Sequence, residues 1–584
     1  MSEILEPTSA LDCVQAGWVH LHQQRPLAAW ACWQRALRIE PGFPSAKAAL
    51  DRLLLSPELP LVARTEYRFL SPQTEVRRER WSRAMSVGDL SQIAQAERVF
   101  RGLADADPDD VDARMNQALC LAWLGQNVDS IQAFLEATRA TDRNQELKDL
   151  GIQACTLVEL LRQGGGAEQL SDELTNSLII EWTQPEPELI AMLARLGPVR
   201  AVAATPTALP GLQAVTEWFT GEWLDRPMPT ASPTLDLNAL PRIRASLLVG
   251  QGQARFSIPS SDPREMLRLE RILECILGSA FVVLDRQARP RPIALMDADL
   301  WRIRVPADLD QETRPRLFRE WAERYYENIW ISTPKRALNS QDLAALTPGQ
   351  AAAIPHDSDS SLRTRLEGLI AFREQLSLRP SMSHLYQGYP FDRLRRRLGL
   401  PLVDPSLIDE GDLSCMSPSE ADELDLLELD PAELALVLSG PLTSSTQARI
   451  VGQLIAEDPR LLLSLDFPNL AAAALTLANQ PVELLTALQS TATDSDETSK
   501  LELLEALLSV LQVDPELRPG TNFPLPGQAD FTDPGVLPRT CHLLERAGAF
   551  LAAQQLEEHG IQLALAASRP WPMIDPQPPV IADE

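Results

Sequence analysis

The chain of 584 residues has little of the side-chain chemistry that enzymes and metal sites use. Its seven cysteines lie far apart and form no C-x-x-C pair, which excludes a zinc ribbon, a c-type haem site and a disulfide framework. Its six histidines include no H-E-x-x-H, and the phosphate-binding, dinucleotide-binding and serine-hydrolase motifs are also missing. We therefore expect a non-catalytic protein that needs no cofactor and no metal.

Long apolar runs and a basic amino terminus are missing as well. The chain begins Met-Ser-Glu-Ile-Leu-Glu-Pro, with acidic residues where a signal peptide needs basic ones. The longest uncharged stretch in an apolar region, residues 467–482, is too short and too interrupted to span a membrane. These features, with the scattered cysteines, predict a cytoplasmic protein without a membrane segment.

Lysine is scarce, so almost all of the 53 basic residues are arginine, and 81 acidic residues give a net charge of −28. An anionic chain is repelled at long range by nucleic acid and by anionic membranes, which argues against either as the main partner. Most of the excess acid lies beyond residue 400. Between 409 and 433 there are ten acidic residues and no basic one.

Three stretches at the amino-terminal end share one 34-residue spacing of small, aromatic and turn residues. The spacing is carried in 10–43 by Gly17, Ala29, Trp33, Ala36 and Pro41, in 77–110 by Ala84, Ala96, Phe100, Leu103 and Pro108, and in 111–144 by Ala118, Ser130, Phe134, Ala137 and Asp142. The pattern resembles that of tetratricopeptide (TPR) repeats. This resemblance implies stacked helical hairpins over residues 1–163, with 145–163 as a capping helix.

Such repeats expose a groove formed by the first helix of each hairpin. The groove positions hold apolar residues, namely Val14, Trp18, Leu21, Trp81, Met85, Met115 and Leu119. An apolar groove rich in Met and Trp suits an amphipathic helix or an extended hydrophobic peptide of a protein partner. The alternative is that the chain fills its own groove, for example with the helix at 145–163.

The middle of the chain divides into a connector with a proline-rich linker, 167–233, and an α+β domain, 240–403. Within the connector, residues 178–180 predict a strand, and 186–196 and 211–224 predict helices. In the α+β domain, the Gly250-Gln251-Gly252 turn predicts a hairpin over 244–258. A helix at 264–278, strands at 280–285, 292–296 and 300–305, and a helix at 314–331 follow.

Residues 314–353 carry a Trp, a Thr-Pro pair, a downstream Leu and a Leu-Thr-Pro with alanines. This order resembles the toxin-binding domain of Xre/MbcA/ParS-type antitoxins, which implies a regulatory protein that binds a toxin. A simpler interpretation is that Thr333-Pro334 and Thr347-Pro348 each start a helix, with Thr as the cap and Pro at the first helical position.

A basic cluster lies at residues 393–397, after Tyr386, Tyr389 and Phe391. Its arginines, Arg393, Arg395, Arg396 and Arg397, are candidates for contact with an anion or with nucleic acid. The alternative is that they form salt bridges with a neighbouring acidic segment. Asp297 and Asp299 form the best carboxylate pair for catalysis, although an isolated D-x-D pair more often caps a turn.

The acidic residues after the cluster predict a solvated linker at 404–430, or a segment that folds back on the arginines. Leucine- and alanine-rich helices then predict a helical domain over 431–566, followed by an extended tail over 567–584. The expected fold is mostly α: a TPR-type array, a small α+β domain and an acidic helical domain. The expected function is a scaffold that binds a protein partner through the groove, with the antitoxin-like or nucleic-acid-binding regulator as the alternative. The sequence does not identify the partner or the oligomeric state.

Overall fold

A computed structural model of the chain describes residues 9–464, apart from 73, 86–91, 143–144, 203–218, 236, 261–262, 340–345, 355–359, 410, 439–441, 443 and 459. The predicted helices beyond residue 464 and the predicted tail lie outside the described residues. None of the helices in the described ranges has the length and apolar character needed to cross a bilayer.

The described chain is mostly helical and contains one small antiparallel sheet, as the sequence predicts. Its α-helices are α1 Ala10–His22, α2 Pro26–Ile39, α3 Pro44–Leu54, α4 Leu61–Arg64, α5 Glu75–Met85, α6 Ile93–Ala106, α7 Val111–Trp123, α8 Asn127–Thr141, α9 Lys148–Arg162, α10 Glu186–Leu193, α11 Pro263–Leu277, α12 Thr313–Arg324, α13 Pro348–Ala353, α14 Ser360–Ser377, α15 Ser383–Tyr386, α16 Phe391–Arg397, α17 Pro418–Glu423, α18 Pro431–Leu438, α19 Ser444–Glu457 and α20 Leu461–Ser464. Its strands are β1 Leu174–Glu181, β2 Val199–Ala201, β3 Phe219–Leu224, β4 Ile243–Gly250, β5 Gln253–Ile258 and β6 Val283–Pro290.

The chain divides into two compact units that do not follow the linear boundaries predicted from the sequence. The first unit contains Met1–Leu174, Arg289–Leu300 and Thr333–Phe391, and the second contains Thr175–Ala288, Trp301–Ser332 and Asp392–Glu584. Composition marks linkers along the chain, but it does not show which separated segments pack together. The stretches Arg289–Leu300 and Thr333–Phe391 belong with the amino-terminal helices because of contacts between distant parts of the chain.

In the first unit, consecutive helices pack on one another in hairpins. A small residue on one helix faces an aromatic residue on the next, because a side chain at the small position would collide with the ring. A Cβ added at Gly17 would lie 2.2 Å from Nε1 of Trp33, and that Nε1 donates a hydrogen bond of 3.2 Å to the carbonyl of Val14. Trp33 is consequently excluded from solvent.

Helix α14 extends this stack from far along the chain by packing on α9. Two glycines allow the close approach. A Cβ at Gly368 would lie 2.3 Å from Cβ of Cys155, and one at Gly151 would lie 3.1 Å from Cγ2 of Thr364. Helix α9 therefore does not end the unit as a cap, since α14 covers it.

The second unit is built on a sheet of strand order β2-β3-β4-β5-β1-β6. The predicted hairpin is confirmed: β4 and β5 pair antiparallel with Val249 opposite Ala254, and the turn places Gln251 and Gly252 at positive φ. The strands predicted at 292–296 and 300–305 are wrong, because these residues form the 3-10 turns Ile293–Leu295 and Leu300–Arg302. The helix predicted at 211–224 is also wrong at its end, where β3 pairs with β4.

The acidic segment after 404 does not form the predicted solvated linker: it packs through its apolar residues, most of its acidic side chains stay exposed, and Asp412 and Glu420 pair with Arg393 and Arg396, as the predicted alternative has it. The segment forms α17 and short 3-10 turns, and Cys415, Ala421 and Leu426 are buried. Ala421 and Leu426 join the core between the sheet, α11, α18 and α19. Helix α17 begins with a capping box between Ser417 and Glu420, which uses one of the acidic residues to satisfy the free N–H groups at its start.

Candidate peptide-binding site

The residues predicted to line one groove lie in three separate apolar cores of the first unit. Val14 is buried with Trp33, and Trp18 and Leu21 pack there half-buried. Trp81 is buried against Phe100 in a second core, with ring centroids 5.1 Å apart. Met115 and Leu119 lie in a third core and are only 2% and 3% exposed. The side chain of Met85 lies outside the described residues.

A stretch of the chain itself, residues 65–72, which we call the internal peptide, lies on the surface formed by α6 and α7. Its sequence is Thr-Glu-Tyr-Arg-Phe-Leu-Ser-Pro, and it adopts neither helix nor strand. Tyr67, Phe69 and Leu70 pack against the core that contains Met115 and Leu119. The chain therefore packs its own segments on the predicted groove residues Met115 and Leu119: the internal peptide lies against their core, and apolar residues of α9, within the helix predicted at 145–163, share that core.

Asn116 on α7 holds the main chain of the internal peptide with two hydrogen bonds. Its Oδ1 accepts a bond of 2.7 Å from the backbone N–H of Leu70, and its Nδ2 donates one of 3.0 Å to the carbonyl of the same residue. The Asn116 side chain is fully buried, so both of its polar atoms would carry a desolvation penalty without these bonds. Because the contact is with backbone atoms, it can hold an extended segment whatever its side chain at that position.

Aromatic side chains form the pocket beside Asn116. The ring of Phe69 lies 4.9 Å from that of Phe100 and 5.3 Å from that of Trp123, both measured between centroids. Trp123 in turn lies 5.8 Å from Trp30 on α2. Aromatic pairs at these separations add to the energy of apolar burial. Phe69, one residue before the backbone contact, therefore packs in an aromatic pocket.

The internal peptide alternates between buried and exposed side chains. Tyr67 and Phe69 are half-buried, whereas Glu66 and Arg68 between them are exposed. Burial raises the pKa of Tyr67, whose hydroxyl donates a hydrogen bond of 3.1 Å to the carbonyl of Val62. This alternation is typical of an extended peptide bound along one face.

Sequence reasoning missed Asn116, because it lies one position after the predicted groove residue Met115. The sequence around it offered no clear signal, because Arg114 and Gln117 nearby are polar as well; in the structure, Asn116 is buried with ten other residues of α7. A buried amide needs partners, and here the partner is supplied by backbone 46 residues earlier.

The basic cluster at 393–397 is used in salt bridges within the second unit. Arg393 Nε lies 2.9 Å from Glu327 Oε1, and Arg393 also pairs with Asp412. Arg397 Nη1 lies 3.4 Å from Glu327 Oε2.

The other two arginines also have acidic partners: Arg395 Nη1 lies 2.9 Å from Asp392 Oδ1, and Arg396 Nε lies 3.2 Å from Glu420 Oε1. All four arginines are thus paired, with carboxylates that lie between 3 and 70 residues away from them along the chain.

The segment that resembles an antitoxin domain is divided between the two units at residue 332. Thr347 does cap α13, with a capping box to Gln350 and Pro348 in the first turn, as predicted. Thr333-Pro334 starts no α-helix: Lys335 pairs with Leu346 in an isolated β-bridge, and a 3-10 turn begins at Arg336. Helix α12 is shorter than predicted and continues into the π-helix Tyr325–Ile329, which carries the buried Glu327.

Asp297 and Asp299 are buried within the first unit and paired with arginines. Asp297 contacts Arg379 and the hydroxyl of Tyr386, and Asp299 Oδ2 lies 3.1 Å from Arg291 Nη1. Burial pushes the pKa of Asp299 upwards, but Arg291 more than compensates and holds it below its ordinary value. These carboxylates neutralise buried arginines and are not placed at an open surface.

Glu159 is another buried carboxylate of the first unit, and its pKa is shifted in the direction opposite to that of Asp299. Burial raises the pKa of Glu159 on α9 to about 7, although Arg162 opposes the shift with Nε 3.3 Å from Oε1. The nearby charges of Asp172 and Glu173 add to the increase, and that of Arg373 reduces it.

Among the described residues, no group of His, Cys, Asp and Glu side chains is placed to hold a metal ion. No family model matches the chain, and no curated protein or solved structure matches it. The conclusions about function therefore depend on the geometry alone.

Proposed function

We propose that this protein is a non-catalytic adaptor whose amino-terminal helical unit, built as a TPR-type array, binds a protein partner through an extended peptide. The observation that supports the proposal is the Asn116 site, where α6 and α7 already hold a peptide-like segment by two backbone hydrogen bonds and an aromatic pocket. Small-to-aromatic contacts such as Gly17 to Trp33 are those expected of TPR hairpins.

The proposed ligand site differs from the groove predicted from the sequence. Met115 and Leu119 lie in the core on which the internal peptide packs, and Asn116, Phe100 and Trp123 contact the peptide directly. Trp18 and Leu21 are half-buried in another core, where Arg52 lies over the Trp18 ring at 5.5 Å. We therefore place the peptide at α6 and α7.

Neither alternative function gains support from the contacts. An anion or a nucleic acid at Arg393–Arg397 would have to displace Glu327, Asp412 and Glu420 from the arginines. A catalytic role for Asp297 and Asp299 would require two carboxylates that already neutralise Arg379 and Arg291. The adaptor requires no such rearrangement of buried charge.

The proposal is tested with a labelled synthetic peptide, Arg-Thr-Glu-Tyr-Arg-Phe-Leu-Ser-Pro, which copies residues 64–72. The full-length chain carries Phe69→Ala and Leu70→Ala, so that its own segment competes weakly, and binding is followed by fluorescence anisotropy. We expect saturable binding that weakens about thirtyfold on adding Asn116→Ala, because two hydrogen bonds of roughly 1 kcal/mol each are lost.

The matched control is the same peptide with alanine in place of its Phe and Leu, which should not bind. If the doubly substituted chain is folded by circular dichroism and still binds no peptide at millimolar concentration, the adaptor proposal is wrong.

A further inference from the structure

Resting on the proposed function, we infer that residues 65–72 act as an exchangeable internal ligand, which keeps the Asn116 site closed until a partner with an extended aromatic-x-aromatic-Leu motif displaces it. The motif is that of the segment now bound, Tyr67-Arg68-Phe69-Leu70. This inference assigns both the class of ligand and the means of regulation.

The contacts divide into a fixed receptor and a detachable ligand. Asn116, Phe100 and Trp123 lie on the long helices α6 and α7, which pack on each other and on α8. The internal peptide contributes no helix or strand to the unit. Its release therefore breaks no helical hydrogen-bond ladder, and the surface that it leaves keeps its shape.

The hold on the internal peptide is also modest. It consists of one backbone contact through Asn116, the half-buried side chains of Tyr67, Phe69 and Leu70, and three hydrogen bonds to segments next to it in the chain. These bonds run from Thr65 to the carbonyl of Leu61, from Tyr67 to that of Val62 and from Arg78 to that of Pro72. A competing peptide can make the same backbone contact, because Asn116 contacts only the N–H and carbonyl of Leu70. Such a competitor would need an aromatic residue directly before the residue bound by Asn116, since the Phe100 and Trp123 rings contact the side chain at that position.

The charged residues of the internal peptide point to its outer side. Glu66 and Arg68 are exposed, whereas the intervening side chains face the core. Residues at the x position of the partner motif are therefore free to vary, and recognition depends on the two aromatic side chains and the leucine.

The inference is tested by comparing the wild-type chain with the Phe69→Ala/Leu70→Ala chain, using the peptide of residues 64–72 in an isotopically heavy form. A site that is open only in a small fraction of molecules binds with an apparent Kd raised by the inverse of that fraction. We expect the wild-type chain to bind at least about tenfold more weakly than the substituted chain. The matched control Arg68→Ala, which changes an exposed side chain of the same segment, should behave as wild type.

Hydrogen exchange on the wild-type chain provides a readout that needs no substitution. Saturating heavy peptide should accelerate exchange of the Leu70 amide in the protein, because its acceptor on Asn116 is then taken by the added peptide. The peptide with alanine in place of Phe and Leu should leave that exchange unchanged.

Equal affinity for both chains, with unchanged exchange at Leu70, would show that the segment does not compete, and would overturn the inference while the adaptor proposal stands. Binding to neither chain would instead remove the adaptor proposal itself. If light scattering shows wild-type dimers whose internal peptides are exchanged between copies, the occupant is a second copy and the proposed partner motif is wrong.

Discussion

At the Asn116 site and at the arginine cluster at 393–397, the chain binds one of its own segments. The two contacts differ in chemistry. At the first, neutral hydrogen bonds and half-buried aromatic side chains hold a segment without secondary structure. At the second, carboxylates neutralise arginines that are largely removed from solvent, with Glu327 only 4% exposed.

The difference decides which contact can be exchanged. Under the proposed exchange, an external peptide would replace the internal one with equivalent contacts, so the energetic cost would be small. Removing one member of a buried ion pair leaves an uncompensated charge, which costs several kcal/mol. The arginine cluster is therefore a fixed part of the second unit, and the Asn116 site is the one of the two at which we propose that a partner binds.

The largest expected effect is that of Glu327→Ala, which leaves Arg393 and Arg397 without their shared carboxylate. We expect the second unit to lose about 3–5 kcal/mol of unfolding free energy. Hydrogen exchange of peptides from 392–438 as a function of urea reports this unit separately from the first. A loss below about 1 kcal/mol would show that these ion pairs stabilise the second unit only weakly. The arginine cluster would then not differ from the Asn116 site in how easily its contacts are exchanged.

A smaller effect is expected where α14 packs on α9, in the unit that contains the Asn116 site. Gly368→Ala places a Cβ 2.3 Å from that of Cys155 and 3.1 Å from its backbone carbonyl carbon, so we expect a loss of about 1–3 kcal/mol in urea unfolding of the first unit. The control is Gly102→Ala, in the exposed face of α6 with no atom within 4 Å of the added methyl group. It should stabilise the chain by about 0.5–1 kcal/mol, and equal effects at both glycines would contradict the close packing.

The buried Glu159 makes the stability of the first unit depend on pH. Its pKa of about 7 in the folded chain exceeds the ordinary value, so the folded state binds the proton more tightly. Its contribution is therefore most favourable at low pH and is lost as the pH rises from about 4.5 to 7.

Glu159→Gln removes this dependence. Relative to wild type, the variant should gain roughly 1–3 kcal/mol in unfolding free energy between pH 5 and pH 8, measured by urea unfolding at both values. A difference between the two chains that does not change with pH would contradict the raised pKa.

The smallest effect is expected at the edge of the arginine cluster. The Glu420 side chain is 43% exposed where it pairs with Arg396, so solvent screens the pair. Glu420 also caps the start of α17. Glu420→Gln keeps a capping side chain and removes the charge, and we expect a loss within about 0–1 kcal/mol in the same exchange experiment. A loss as large as that of Glu327→Ala would show that the stability contributed by these ion pairs does not decrease with their exposure to solvent.

Local patterns in the sequence predicted the elements whose structure depends on near neighbours. The Gly250-Gln251-Gly252 turn predicted the β4–β5 hairpin, and Thr347-Pro348 predicted the start of α13. Where the pattern was a short apolar run, as at 292–296, it could not distinguish a strand from a 3-10 turn.

The site itself was predicted only in part. Apolar residues at repeat positions indicated the face of α7 that carries the site: Met115 and Leu119, which were predicted, lie in the core on which the internal peptide packs. Asn116 could not be assigned a role from the sequence, since its partner is the backbone of Leu70, and a backbone group carries no residue-specific signal.

The sequence by itself determined the mostly helical character, the hairpin spacing of the amino-terminal helices and the charge balance, because each depends on residues a few positions apart. Only the tertiary structure decided what covers each surface. The internal peptide on α7, α14 on α9, and the acidic residues on the arginines are contacts between distant segments. Many pairings satisfy the same apolar and charge patterns, and packing of the whole unit selects one of them.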